Sequence, residues 1–269
     1  MIRAVLVGAA GRMGQAIIRA ASDASDIVIT GAVSSEASPH LGRDAGELAG
    51  SRPLDVAVTS DLAAALTAAD VVIDFSNPKA TEEHVAACRA ARKPLLVGTT
   101  GHGSAMSYVF ERAAREIALL VTPNTSLGIT VLLELARAAA AVLPRDFDAE
   151  IIEAHHRMKK DAPSGTALAL GAAVASGRGG QLTDIAVMDR QGGAARRGGD
   201  IGFAVVRGGD LVGEHTVLFA GDGEELTLTH RAGDRSIFAR GALRAAAWLT
   251  VQPPGRYAMG DILLAKTGC

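Results

Sequence analysis

Two imidazoles and two ammonium groups crowd into one short stretch of this chain: His155, His156, Lys159 and Lys160, followed at once by Asp161, Pro163, Ser164, Gly165 and Thr166. Histidine and lysine side by side can hold an anion and move protons near neutral pH, which is the chemistry of general acids and bases. Residues 149–154, ahead of the cluster, alternate as a strand does, and residues 167–174 read as a helix. The cluster is therefore expected at a strand-to-helix turn, with Ser164, Gly165 and Thr166 opening the helix. The N–H groups and the positive dipole end of such a helix favour a carboxylate or a phosphate. A reactive, acidic small molecule beside a proton donor is the substrate that this pattern implies.

A metal centre is not expected. Neighbours on a strand point to opposite faces, so His155 and His156 are badly placed to chelate one ion, and no further His or Cys stands at ligand spacing. A second motif lies at the start of the chain, where Gly8, Gly11, Arg12, Met13 and Gly14 follow an apolar run and precede a helical pattern. Three glycines at a strand-to-helix junction let the backbone approach a dinucleotide pyrophosphate, although the spacing is GxxGxxG rather than GxGxxG. A carboxylate that would bind the ribose is expected about 20 residues on. Ser34 and Ser35 stand there, followed by Glu36; serine hydroxyls serve a ribose or a phosphate, and Arg12 would offset repulsion from Glu36. NADH and NADPH both remain open.

Two more loops follow apolar strands, Asp74-Phe75-Ser76-Asn77-Pro78 and Gly98-Thr99-Thr100-Gly101. Both should emerge at the carboxyl edge that carries the glycine loop, with Phe75 against a nicotinamide ring and the backbone of Gly98, Thr99 and Thr100 at its carboxamide. Loops that merely cap helices would look the same. Asn124 and Ser126 mark the expected hinge between domains and the last of the cofactor loops.

The elements that must position these residues can be read from periodicity. Runs at 4–7, 27–33, 71–75, 95–97 and 117–121 predict buried strands, and the alanine- and leucine-rich segments 13–21, 62–69, 81–91 and 104–116 predict helices between them. The βαβ order predicts an α/β fold whose N-terminal part is a Rossmann-like, doubly wound parallel sheet. A long helix over 127–142 opens a second, α+β domain on a smaller mixed sheet, with strands at 201–206, 214–220 and 224–230 after a glycine-rich tract, 177–199, that is mostly loop. The helix over 237–250, which carries Trp248, is expected to return to the first domain. Residues 1–125 plus 237–269 are thus expected to bind the dinucleotide, and 126–236 to bind the substrate.

Composition narrows the partners. Lys plus Arg number 27 against 29 for Asp plus Glu, a formal charge of −2 that gives no reason to expect nucleic acid. Cys88 and Cys269 are too far apart in type of surroundings to define a disulfide framework, and no apolar run reaches membrane-spanning length, so a soluble, unprocessed, cytoplasmic protein is expected.

Taken together, Gly8 to Gly14, Asp74-Phe75, Gly98 to Gly101, the block from His155 to Thr166 and the segment Arg207 to Thr216 resemble the 4-hydroxy-tetrahydrodipicolinate reductase (dihydrodipicolinate reductase) family of bacterial lysine synthesis, over nearly the whole chain. The resemblance implies reduction of a cyclic, unsaturated dicarboxylate by hydride from NADPH or NADH. It also implies that Lys159 is the proton donor, that His155 assists it, and that His156 with Ser164, Gly165 and Thr166 grips the substrate carboxylates. A homotetramer built through the second-domain sheets is implied as well. The chain departs from the family at Ser34-Ser35, where many members carry Glu-Arg, and at His102, where an aromatic often stands. The Rossmann features alone would also suit another amino- or oxo-acid dehydrogenase, or a nicotinamide-sensing protein. The His-Lys block argues against both, and no DNA-reading module is evident.

Overall fold

A computed structural model describes residues 1–190 and 195–264, and the chain forms two compact units, Met1–Ser126 with Arg235–Cys269, and Leu127–Asp234. Cys269, expected to take no part in a disulfide, lies outside the described residues.

The first unit alternates strand and helix: β1 (Ile2–Val7), α1 (Arg12–Ser22), β2 (Ile27–Val33), α2 (Ala45–Leu48), β3 (Val58–Thr59), α3 (Leu62–Leu66), β4 (Val71–Asp74), α4 (Thr81–Ala90), β5 (Leu95–Val97), α5 (Met106–Ala114) and β6 (Ala118–Val121). The second unit holds α6 (Leu127–Val142), β7 (Asp148–His155), α7 (Gly165–Gly177), α8 (Leu182–Ile185), β8 (Ala186–Val187), β9 (Ile201–Arg207), β10 (Gly213–Gly221) and β11 (Glu224–Ala232). The chain then re-enters the first unit with α9 (Ser236–Leu249), β12 (Gly255–Tyr257) and α10 (Met259–Leu264).

The strands of the first unit pair in parallel in the order β12-β6-β5-β4-β1-β2-β3. Strands covered on both faces have no polar side to show, which is why Val71–Asp74 and Leu95–Val97 are buried throughout and, up to the terminal Asp74 of the first, read as apolar runs. Helices α1 and α9 pack together on one face, while α3, α4 and α5 pack in series on the other. Strand order reverses between β1 and β4, so the loops after Val7 and Asp74 part at the point where such sheets hold ligands.

Short elements escape the sequence pattern. Helix α2 is nucleated by Asp44, whose carboxylate accepts N–H bonds from Gly46, Glu47, Leu54 and Val56. Strand β12 adds to the sheet edge by pairing with β6. The 177–199 tract is less open than expected, since it carries α8 and β8; residues 191–194 of it lie outside the described residues.

In the second unit the five strands run β11-β10-β7-β9-β8, with β7, β9 and β8 parallel and β10 and β11 antiparallel. Side chains alternate across the pleat, and on β7 the buried set is Ala149, Ile151, Glu153 and His155. On β10 it is Gly213, His215, Val217 and Phe219. Helices α6 and α7 cover this face, where Ile129, Leu132, Ile151, Leu170, Val174 and Phe219 form the core. Full burial of such side chains stabilises by roughly 1.5–3 kcal/mol each. One end of the covered face is apolar, and the other end is Glu153, His155 and His215.

Candidate active site

The polar end of that face is closed by one carboxylate. Glu153, 1% exposed, accepts from Nδ1 of His155 at 2.5 Å and from the backbone N–H of Ser164 at 3.0 Å. The two terminal guanidinium nitrogens of Arg207, Nη1 and Nη2, donate to it at 2.8 Å, a two-point charge-assisted grip. Nη2 of Arg207 also donates to the carbonyl of Asp161 at 2.6 Å, which fastens the turn between β7 and α7. On that turn the Lys159 ammonium pairs with the Asp161 carboxylate at 2.8 Å, and the Lys159 N–H donates to the carbonyl of His156. The Ala162–Pro163 peptide is cis.

Ser164 starts α7 as the expected cap. Its Oγ accepts the N–H of Ala167 at 3.2 Å and stands 3.2 Å from Nε2 of His215. Gly165 and Thr166 follow as the first turn, exposed and half-buried respectively. The ring of His215 meets the ring of His155 edge-on, with centroids 5.0 Å apart. His156 is half-buried beside the turn.

Charge and burial divide these groups. Burial works against ionisation of Glu153, yet Arg207, His155 and the Ser164 N–H together hold its carboxyl below the usual range. Burial also lowers the pKa of His155; Glu153 opposes this, and the charges of Lys159 and Arg207 reinforce it. His215 is pushed down to about 4, first by burial and then by His155. The Lys159 ammonium holds Asp161 below its ordinary value. The turn thus presents a neutral imidazole, an ammonium group and a helix N-terminus together, and that combination can bind a carboxylate and pass a proton.

In the first unit the loops after β1, β2 and β4 surround a cavity of about 940 Å³ whose lining includes Gly8, Gly11, Ser34, Ser35, Glu36 and Phe75. Gly8 has φ of +84°, and a Cβ there would stand 2.4 Å from the Phe75 carbonyl; at Gly14 it would meet the Gly8 carbonyl at 2.3 Å. The glycines therefore let β1, α1 and the β4 loop close on one another. Helix α1 begins after Gly11 with no side-chain cap, so its first-turn N–H groups, from Arg12, Met13 and Gly14, are left to an anion. Ser34 does more than line the cavity, since its Oγ accepts the N–H of Ala10 at 3.2 Å and ties the glycine loop to β2. A cradle with these features fits a dinucleotide.

The remaining cofactor candidates sit at the carboxyl ends of β5 and β6, outside the lining of that cavity. The Phe75 ring lies on Gly98, where a Cβ would be 2.2 Å from Cζ. The Thr99 hydroxyl is already engaged with Asp74 Oδ1 at 3.2 Å and accepts the N–H of Ser76 at 3.0 Å, which leaves its backbone for a ligand; Thr100 is exposed. Asn124 Oδ1 accepts the N–H of Ser126 at 2.9 Å, making the turn that ends the strand–loop series. His102, the departure from the family pattern, keeps a ring in place: it packs edge-on against Phe110 and bonds the Thr99 carbonyl at 2.9 Å.

Sequence reasoning left Glu153, Arg207 and His215 without roles, and overlooked His84, whose Nδ1 lies 2.9 Å from the buried carboxylate of Asp74. For Glu153 a signal existed, because a residue two before His155 on a strand shares its face. For His84 there was none short of the fold.

The arrangement matches known proteins. Residues 2–125 match the family model described as dihydrodipicolinate reductase, N-terminus, and residues 128–263 match dihydrodipicolinate reductase, C-terminus. A 4-hydroxy-tetrahydrodipicolinate reductase from Anaeromyxobacter dehalogenans is 47% identical over 269 residues, covering 100% of both chains. One from Alkalilimnicola ehrlichii is 51% identical over 262 residues, covering 97% of this chain and 98% of the relative. Among solved structures, a dipicolinate-bound dihydrodipicolinate reductase from Paenisporosarcina sp. TG-14 shares the fold with a TM-score of 0.74 at 24% identity, covering 96% of this chain and 97% of the other. An amine dehydrogenase from Mycobacterium smegmatis shares it more distantly, with a TM-score of 0.60 at 16% identity over 96% and 95% of the two chains.

Proposed function

The chain belongs to the dihydrodipicolinate reductase family, and on that premise we propose which of its side chains carry the reaction. It is an oxidoreductase that reduces 4-hydroxy-tetrahydrodipicolinate to tetrahydrodipicolinate with NADPH or NADH, in the diaminopimelate route to lysine. The cofactor belongs to the first unit, and the cyclic dicarboxylate to the second.

Gly8, Gly11, Arg12, Met13 and Gly14 would hold the pyrophosphate at the mouth of α1, and Ser34 and Ser35 would face the adenosine ribose. Phe75, the backbone of Gly98, Thr99 and Thr100, and the turn of Asn124 and Ser126 would hold the nicotinamide end. When bound, the reduced nicotinamide would supply the hydride, which adds to the conjugated ring that remains once the 4-hydroxyl has left as water. The electron-rich enamine so formed needs a proton, and Lys159 donates one from Nζ; His155 assists in proton transfer beside it. His156, Ser164, Gly165 and Thr166 bind the two carboxylates through charge-assisted and helix N–H bonds.

The observation that supports this reading is the meeting of the Lys159 ammonium, the His155 ring and the Ser164 cap around a single turn. The exposed sheet face, which shows Ile152 and Val206, supports assembly of four chains through the second unit. Among the described residues no helix is long and apolar enough to cross a membrane, and Cys88 is a buried free thiol, which suits the cytoplasm.

The test is oxidation of NADH and of NADPH, in parallel, on adding freshly made 4-hydroxy-tetrahydrodipicolinate to the purified protein. Lys159→Ala should lower turnover by at least about a hundredfold, the scale of losing a general acid. A variant with near-normal turnover would reject the assignment of Lys159.

A further inference from the structure

Glu153 meets both flanks of the turn that the proposed reaction uses, His155 before it and Ser164 after it. Its Oε2 receives His155 Nδ1 at 2.5 Å and Arg207 Nη1 at 2.8 Å, and its Oε1 receives Arg207 Nη2 at 2.8 Å and the Ser164 N–H at 3.0 Å. An ionised carboxylate can only accept hydrogen bonds. The proton on neutral His155 must then sit on Nδ1, which leaves the lone pair on Nε2. The side of Nε2 is kept clear by Gly213, where a Cβ would stand 3.1 Å from that nitrogen.

We propose that Glu153 is the positioning residue of this site: it fixes His155 as the Nδ1–H tautomer, so that Nε2 is the nitrogen available for proton transfer. The inference rests on the reading of His155 as a proton-transfer residue, and it extends to the groups beyond. Through Arg207 and the Asp161 carbonyl the same carboxylate holds the turn that carries Lys159, and through the Ser164 N–H it sets the start of the anion seat. A salt bridge serving stability alone would need the Arg207 grip and nothing from His155. The fourfold acceptance is what assigns the tautomer.

Glu153→Gln separates the two roles with little change of volume. The Gln oxygen keeps the Ser164 N–H and one Arg207 nitrogen, and its amide N–H₂ must then face His155 Nδ1. A donor facing Nδ1 is accommodated only if that nitrogen gives up its proton, so the variant is expected to carry the proton on Nε2. The measurement is the nitrogen-15 spectrum of histidine-labelled protein near pH 8, with the His155 signals identified by their loss in His155→Gln, alongside kcat and KM. Expected are an Nδ1–H signal for His155 in the native enzyme, an Nε2–H signal in Glu153→Gln, and a kcat lower by at least about tenfold at little-changed KM for the reduced cofactor. A variant in which His155 stays Nδ1–H overturns the proposal. Should the variant fail to fold, the native spectrum decides alone, because an Nε2–H His155 there overturns it equally. A reversed tautomer at unchanged kcat upholds Glu153 as the residue that sets the proton and removes His155 from the proposed mechanism.

Discussion

Acidification is expected to destabilise this protein through His215, and its surroundings set the size of the effect. The ring is 4% exposed, its Nε2 faces Ser164 Oγ, and its Nδ1 has no partner. Burial first and His155 second lower its pKa from 6.5 to about 4, with His230 and Lys159 adding to the repulsion and Glu153 opposing it. An unfolded chain takes up this proton near pH 6.5, whereas the folded chain resists it until about 4, so stability is full above the first value and drains away as the pH falls toward the second. At 1.36 kcal/mol per pKa unit the loss by pH 4.5 is about 2.5 kcal/mol, a large share of a typical domain stability of roughly 5–15 kcal/mol.

His215→Gln removes the titration and keeps a partner for Ser164. Urea unfolding followed by far-ultraviolet circular dichroism at pH 7.5, 6.0 and 4.5 gives the stability of each protein. The native chain should lose about 2.5 kcal/mol more than the variant between the first and last pH. His155 and His230, also lowered by burial, contribute the same sign in both proteins and cancel. Glu153 does not confuse the window: its folded pKa lies below the ordinary value, so its contribution holds above about pH 4.5 and fails only in stronger acid. Parallel losses in the two proteins would refute the reasoning, because the burial of His215 would then carry no proton linkage.

Gly14→Ala places a Cβ 2.3 Å from the Gly8 carbonyl and 2.6 Å from that of Ala9, and the helix-propensity gain of about 1 kcal/mol cannot offset a displaced backbone. KM for both reduced cofactors should rise at least about tenfold with kcat less affected, and an unchanged KM would remove the pyrophosphate from this loop. Sedimentation at micromolar concentration should give the mass of four chains, and a single-chain mass would contradict assembly through the second-unit sheet.

Much of the fold was legible because parallel strands buried on both faces leave continuous apolar runs, as in residues 71–73 and Leu95–Val97. Among the elements that escaped, α2, β3 and β12 are short and owe their existence to distant partners: β12 to β6, β3 to β2, α2 to the Asp44 carboxylate that also binds Leu54 and Val56. No local pattern encodes such debts. The site divides in the same way. His155, His156, Lys159 and Ser164 were readable because they are neighbours in the chain, but their governors are not. Glu153 is opposite His215 across β10, and His155 is opposite Arg207 across β9, pairings that exist only once the register of the mixed sheet is set. With that register known, the logic of the site is a change of chemistry along one covered face. Ala149 and Ile151 on β7 and Phe219 and Val217 on β10 pack under the helices, and one pleat further the same face carries Glu153, His155 and His215. The core supplies the rigidity and the low-dielectric walls, and the residues that follow it on that face, Glu153 and His155 at the end of β7 and His215 near the start of β10, spend both on holding an imidazole in one protonation state.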